Sequence, residues 1–66
     1  MELIINGDQR LIDSSYSLMD LLVSLEMTQG HIAVELNGEI IPKSTFQKQQ
    51  LSDGDKIEIV QAIGGG

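Results

Sequence analysis

The residue pattern predicts an α+β fold in two layers, a mixed sheet in the order β-β-α-β-β-β packed on a single helix. Three observations carry this expectation. Leu18, Leu21, Leu22 and Leu25 fall at i, i+3, i+4 and i+7, the spacing of one apolar helix stripe. Ile32, Val34 and Leu36 alternate with Ala33 and Glu35, and Ile57 and Ile59 alternate with Lys56 and Glu58, which is the period of half-buried strands. Two Asn-Gly pairs, Asn6-Gly7 and Asn37-Gly38, follow strand-like runs and supply the positive φ angles that tight hairpin turns require.

The elements follow in order. Leu3-Ile4-Ile5 reads as a strand entering the first turn, with Gln9 to Asp13 as its return. Ser17 caps the helix, and Asp20 three residues on makes a weaker form of the capping box. Gly30 is expected to end that helix in a left-handed conformation. Ile32 to Leu36 is the third strand, and Glu39-Ile40-Ile41 is the fourth, stopped or placed at a sheet edge by Pro42. Lys43 to Gln50 is irregular, with Phe46 and Leu51 as the anchors that pin it to the core. Asp53-Gly54-Asp55 is a turn, and Lys56 to Val60 the last strand.

With 66 residues there is room for one small domain, which buries only about 60% of its unfolded-chain surface. That excludes a deep, walled active site. Cysteine is absent, so no disulfide staples the domain and thiolate metal or iron–sulfur sites are excluded. A net charge of −6 with four scattered cations argues against nucleic acid as a partner. The chain opens Met1-Glu2-Leu3 without a basic leader, and its apolar runs stop at three residues, so neither a membrane span nor a signal segment is expected and the location is expected to be cytoplasmic.

Ile63-Gly64-Gly65-Gly66 stands directly after the last strand. Glycine loses more backbone freedom on ordering than any other residue, so residues 62–66 are expected to form a flexible tail beyond a compact domain of residues 1–61. A frayed terminus or cloning remnant would look the same. Side-chain-free residues can also thread a narrow slot, and Ala62 to Gly66 reaches roughly 17 Å when extended. That suits delivery of a terminal carboxylate into another protein's active site.

Taken together, the residues resemble the ubiquitin-like β-grasp sulfur carriers, and within them the ThiS family of thiamine-thiazole biosynthesis. The resemblance covers the whole chain. Its landmarks are the Ile5-Asn6-Gly7 turn, the Leu18…Leu21-Leu22 helix, the Val34-Glu35-Leu36-Asn37-Gly38-Glu39-Ile40-Ile41-Pro42 centre, the Asp53-Gly54-Asp55-Lys56-Ile57-Glu58-Ile59 approach and the final Gly65-Gly66. Gly64 departs from the pattern, since many members carry a larger residue there. The resemblance implies a protein co-substrate with no catalytic residue of its own and no bound cofactor or metal. An E1-like, ThiF-type adenylyltransferase would spend ATP to adenylate the Gly66 carboxylate, with Gly64 and Gly65 threading its slot. A persulfide sulfur donor would convert the adenylate to a thiocarboxylate, a 1-thioglycine at Gly66, and a ThiG-type thiazole synthase would take the sulfur. The residues agree on one point independently: without cysteine, sulfur cargo has only the terminal carboxyl group to ride on. Carriers for tRNA thiolation share the tail chemistry. So does the small subunit of molybdopterin synthase, whose usual proline-containing approach to the diglycine Val60-Gln61-Ala62-Ile63 does not match. A lysine-conjugated protein modifier and an interaction module with an inert tail are the readings from other classes.

Strand parity suggests where a partner docks. If Leu3, Ile5, Ile57 and Ile59 face the helix, then Ile4, Glu58, Val60 and Ala62, together with Ala33, lie on the opposite face. An apolar cluster there would lead to the tail. Other residues are set aside. His31, the single histidine, has no nucleophile or oriented acid beside it in sequence. Asp53 and Asp55 are too few for a calcium loop, Met19 and Met27 fill gaps, and Ser14 and Ser15 lack a base.

Overall fold

The computed structural model describes residues 1–63. Among them, strands β1 (Glu2–Ile5), β2 (Asp8–Leu11), β3 (His31–Leu36), β4 (Glu39–Ile41) and β5 (Lys56–Ala62) form one sheet, packed on helix α1 (Leu18–Ser24). The strand order is β2-β1-β5-β3-β4. All pairs are antiparallel except β1 with β5, where Ile4 lies beside Lys56 and Ile5 beside Ile57. The last strand therefore occupies the centre, as in the ubiquitin-like β-grasp fold that the resemblance implies.

One face of the sheet is closed by the helix. Leu3, Ile5, Val34, Leu36, Ile57 and Ile59 are buried against Leu18, Leu21 and Leu22, and Phe46 and Leu51 complete the core from the long connection, as expected of them. A single 3₁₀ turn, Lys43–Thr45, organises that connection after Pro42, whose carbonyl accepts the Thr45 N–H at 3.0 Å and its hydroxyl at 2.9 Å. The connection is tied to the helix start, with the Leu18 N–H donating to the Gln49 carbonyl at 2.9 Å.

The start of α1 matches the expected box: the Asp20 N–H donates to Ser17 Oγ and the Ser17 N–H to Asp20 Oδ2. Its end does not match. The helix stops at Ser24 with Leu25 as the cap, and Glu26 instead of Gly30 takes the left-handed position at φ 58°. The Glu26 N–H donates to the Val23 carbonyl and the Met27 N–H to the Leu22 carbonyl, which is the Schellman pattern. Met27 packs on the core, which offsets the roughly 1–2 kcal/mol that a left-handed glutamate costs. Gly30 is left-handed too, at φ 77°, but in the turn that leads into β3. β2 is shorter than expected and continues as a backbone pair between Met1 and Ile12. β5 is longer: Ala62, placed in the tail by the sequence boundary, pairs with His31 inside the sheet.

Candidate functional site

The face of the sheet away from the helix carries every partner-face residue expected from parity. Ile4, Glu58, Val60, Ala62 and Ala33 are all exposed there. Register decides which of them meet. Ala33 sits across from Val60 and Glu35 across from Glu58, while Ile4 lies beside Lys56. Four residue steps along β5 separate the rows of Ile4 and Val60, about 13 Å at strand rise. Ile4 therefore does not join the cluster next to the tail.

Ile40 does join it. On β4 it pairs with Glu35, and with Ala33 and Val60 it lines a shallow depression of about 120 Å³, with Glu35 and Glu58 on its border. Ile40 is 76% exposed and Val60 65%, values that mark side chains with no cover of their own. The signal for Ile40 was present in the sequence. A two-residue turn at Asn37-Gly38 sets Leu36 opposite Glu39, and one step further sets Glu35 opposite Ile40.

Two asparagines hold β5 in this sheet. Past Ile5 the first strand turns away, and the Asn6 side chain takes its place: Oδ1 accepts the Ile59 N–H at 2.7 Å and Nδ2 donates to the Ile59 carbonyl at 3.1 Å. Asn37 holds the start of β5 by one backbone bond, accepting the Lys56 N–H at 2.9 Å, while its amide donates to the Asp55 side chain at 3.0 Å. Asp53 and Asp55 are turn residues, as expected. Asp53 Oδ1 accepts the Glu2 N–H and Asp55 Oδ2 the Ser52 N–H.

The end of β5 leaves over the turn before β3. The Gln61 side-chain amide donates to the Gln29 carbonyl at 3.1 Å, and Ala62 pairs with His31. Gly64, Gly65 and Gly66, the expected threading and activation residues, lie outside the described residues. His31 is exposed at the first position of β3. Ser15 is a turn residue whose hydroxyl and N–H both donate to Asp13 Oδ1, and these two bonds hold the Asp13 carboxyl below its usual value. A larger polar cleft of about 480 Å³ opens at the start of α1, between Ser14–Ser17 and Gln47–Leu51. It lies at the helix end remote from the 26–30 loop over which β5 leaves.

Residues 3–66 match the ThiS family. The chain belongs to the ThiS family. It is 46% identical, across its whole length, to a thiazole synthase of Paramagnetospirillum magneticum, and spans a fifth of the length of that protein. It is 42% identical over 50 residues to the sulfur carrier protein ThiS of Bacillus subtilis, covering 76% of each chain. The crystal structure of the thiamine biosynthesis protein ThiS of Geobacter metallireducens superposes with a TM-score of 0.83 at 35% identity, over the full length of both chains. The chain therefore has the ubiquitin-like β-grasp fold. Among the described residues, no helix is long and apolar enough to cross a membrane.

Proposed function

We propose that this chain is a sulfur carrier for formation of the thiazole moiety of thiamine, acting as a protein co-substrate through the carboxylate of Gly66. The observation that carries the reading is the family match, which runs from Leu3 through Gly66 and so takes in the three glycines as well as the folded domain. The central position of β5 supports it, because the strand that leads to the tail is held from both sides between Lys56 and Ile59. The uncovered outer face, with its depression between Ala33, Ile40 and Val60, supports docking beside that tail.

The chemistry needs activation because a carboxylate is a poor electrophile. In a ThiF-type adenylyltransferase, a Gly66 carboxylate oxygen attacks the α-phosphorus of ATP and the bond to the β-phosphate breaks, releasing pyrophosphate. The terminal sulfur of a cysteine persulfide on a donor protein then attacks the acyl carbon, and AMP leaves. A thiol attacks the donor-side sulfur of the resulting acyl disulfide. That S–S bond breaks, the electron pair stays on the acyl sulfur, and a thiocarboxylate is released. Its sulfur is the nucleophile offered to a ThiG-type thiazole synthase. The thiazole synthase relative, which carries a segment alignable with this entire chain, supports that enzyme as the recipient.

Intact mass after incubation with a ThiF-type adenylyltransferase, ATP and a persulfide donor tests the reading. The expected product has one oxygen exchanged for sulfur at Gly66. A ladder of conjugates would make the chain a protein modifier, and an unchanged mass would make it an interaction module. Val60→Asp, at an exposed position, should leave the fold intact and slow activation at least tenfold by placing a charge in the apolar depression.

A further inference from the structure

Four glycines among the described residues have positive φ: Gly7, Gly30, Gly38 and Gly54. At Gly7, Gly38 and Gly54 an added Cβ would meet nothing within 4 Å, so these positions need glycine for backbone conformation alone. Gly30 differs. A Cβ there would overlap the Ala62 carbonyl oxygen and come within 3.1 Å of the Ala62 carbonyl carbon and 3.2 Å of Ile63 Cα, all of them backbone atoms that no rotamer change can move aside. The contact is long-range in sequence and falls on the last residues of β5. Next to it, the Gln61 side-chain amide donates to the Gln29 carbonyl.

The geometry points to Gln29-Gly30 as a seat that sets the direction in which the chain leaves β5, making Gly30 and Gln61 positioning residues for the Gly66 carboxylate. Val60 to Ala62 have β3 as their single pairing strand among the described residues, since β1 pairs no further than Ile57 and Asn6 reaches only to Ile59. A strand end held on one side alone could swing. The seat beneath Ala62 and the tie from Gln61 constrain it from the loop side. A carboxylate that must reach a phosphorus atom in another protein's slot gains rate from such restriction, because misplacement by about 1 Å costs up to ~100-fold in a reaction that depends on orientation. A side chain at residue 30 would lift Ala62 and Ile63 from this seat.

This inference rests on the proposed adenylation, and Gly54 supplies the control. Gly54→Ala imposes the same left-handed strain at φ 87°, at the opposite end of β5 and with open space around it. Both variants are compared with the wild type for unfolding midpoint, affinity for a ThiF-type adenylyltransferase, and single-turnover adenylation with enzyme in excess. Gly30→Ala should bind within about twofold of Gly54→Ala yet be adenylated ~10- to 100-fold more slowly. Equal adenylation rates for the two variants would overturn the seat. Should Gly30→Ala fail to fold, Gln61→Met decides: it keeps the side-chain length and removes the donor, and a wild-type adenylation rate for it would overturn the inference. A wild type that is not adenylated at all sinks the proposed function itself, a result distinct from an active wild type whose Gly30 variant is equally active.

Discussion

From Lys56 to Ile59, β5 is gripped from both sides; from Val60 to Ala62, among the described residues, β3 is its one pairing strand. In the first half the Asn37 and Asn6 side chains clamp the backbone, β1 and β3 flank the strand, and Ile57 and Ile59 are sealed into the core. In the second half Val60 and Ala62 are exposed, and the remaining tie is the bond from Gln61 to Gln29 beside the Gly30 seat. One strand thus divides the labour of the molecule. Its beginning is sealed into the core and its end is exposed.

The division is sharpest for side-chain truncation. Ile57→Ala removes a fully buried side chain and should cost about 2–5 kcal/mol, against a total of about 3–10 kcal/mol for a domain of this length. Val60→Ala, three residues later, should cost less than about 0.5 kcal/mol. Urea unfolding midpoints measure both. A Val60→Ala midpoint depressed as far as that of Ile57→Ala would erase the distinction between the halves.

The fold and the two faces were legible because they follow from local periodicity. The leucine stripe of α1 and the alternation in β3 and β5 each repeat over several residues, and parity alone sorted Leu3, Ile5, Ile57 and Ile59 from Ile4, Glu58, Val60 and Ala62. What stayed hidden depends on register or on long-range contact. Ile4 was grouped with Val60 because parity gives a face and not a row; the parallel pairing of β1 with β5 sets Ile4 beside Lys56. A glycine after an apolar stripe signals a helix end, whereas the requirement for Gly30 comes from Ala62, thirty-two residues away. Asn6 was legible as a turn residue, but its bonds to Ile59 cross 53 positions.

Those bonds give the next test. Asn6→Gly preserves the left-handed backbone, φ 50° in the native chain, and deletes both side-chain bonds to β5. It should cost about 1–3 kcal/mol because the Ile59 N–H and carbonyl lose partners in a part-buried setting. Asn37→Gly deletes one bond to the β5 backbone and one to the Asp55 carboxylate, both exposed so that water replaces what is lost, and should cost less. Equal costs, read from the same urea curves, would mean that the two clamps are not graded by burial.

A small electrostatic effect lies within the first half. Glu58 faces Glu35 directly across β5 and β3, two like charges on the open side of the sheet. Such a pair opposes folding by roughly 0.2–1 kcal/mol, less as salt screens it. Glu58→Gln should therefore raise the unfolding midpoint at low ionic strength, and the gain should shrink as salt is added. The same carboxylates border the Ala33–Ile40–Val60 depression, so a basic partner surface would be drawn to them over several ångströms of water. If the proposed adenylation holds, Glu58→Gln should dock more slowly on a ThiF-type adenylyltransferase at low salt even though it folds more stably. A variant that is stabilised and docks at the wild-type rate would assign the repulsion to the fold alone and leave docking to the apolar depression.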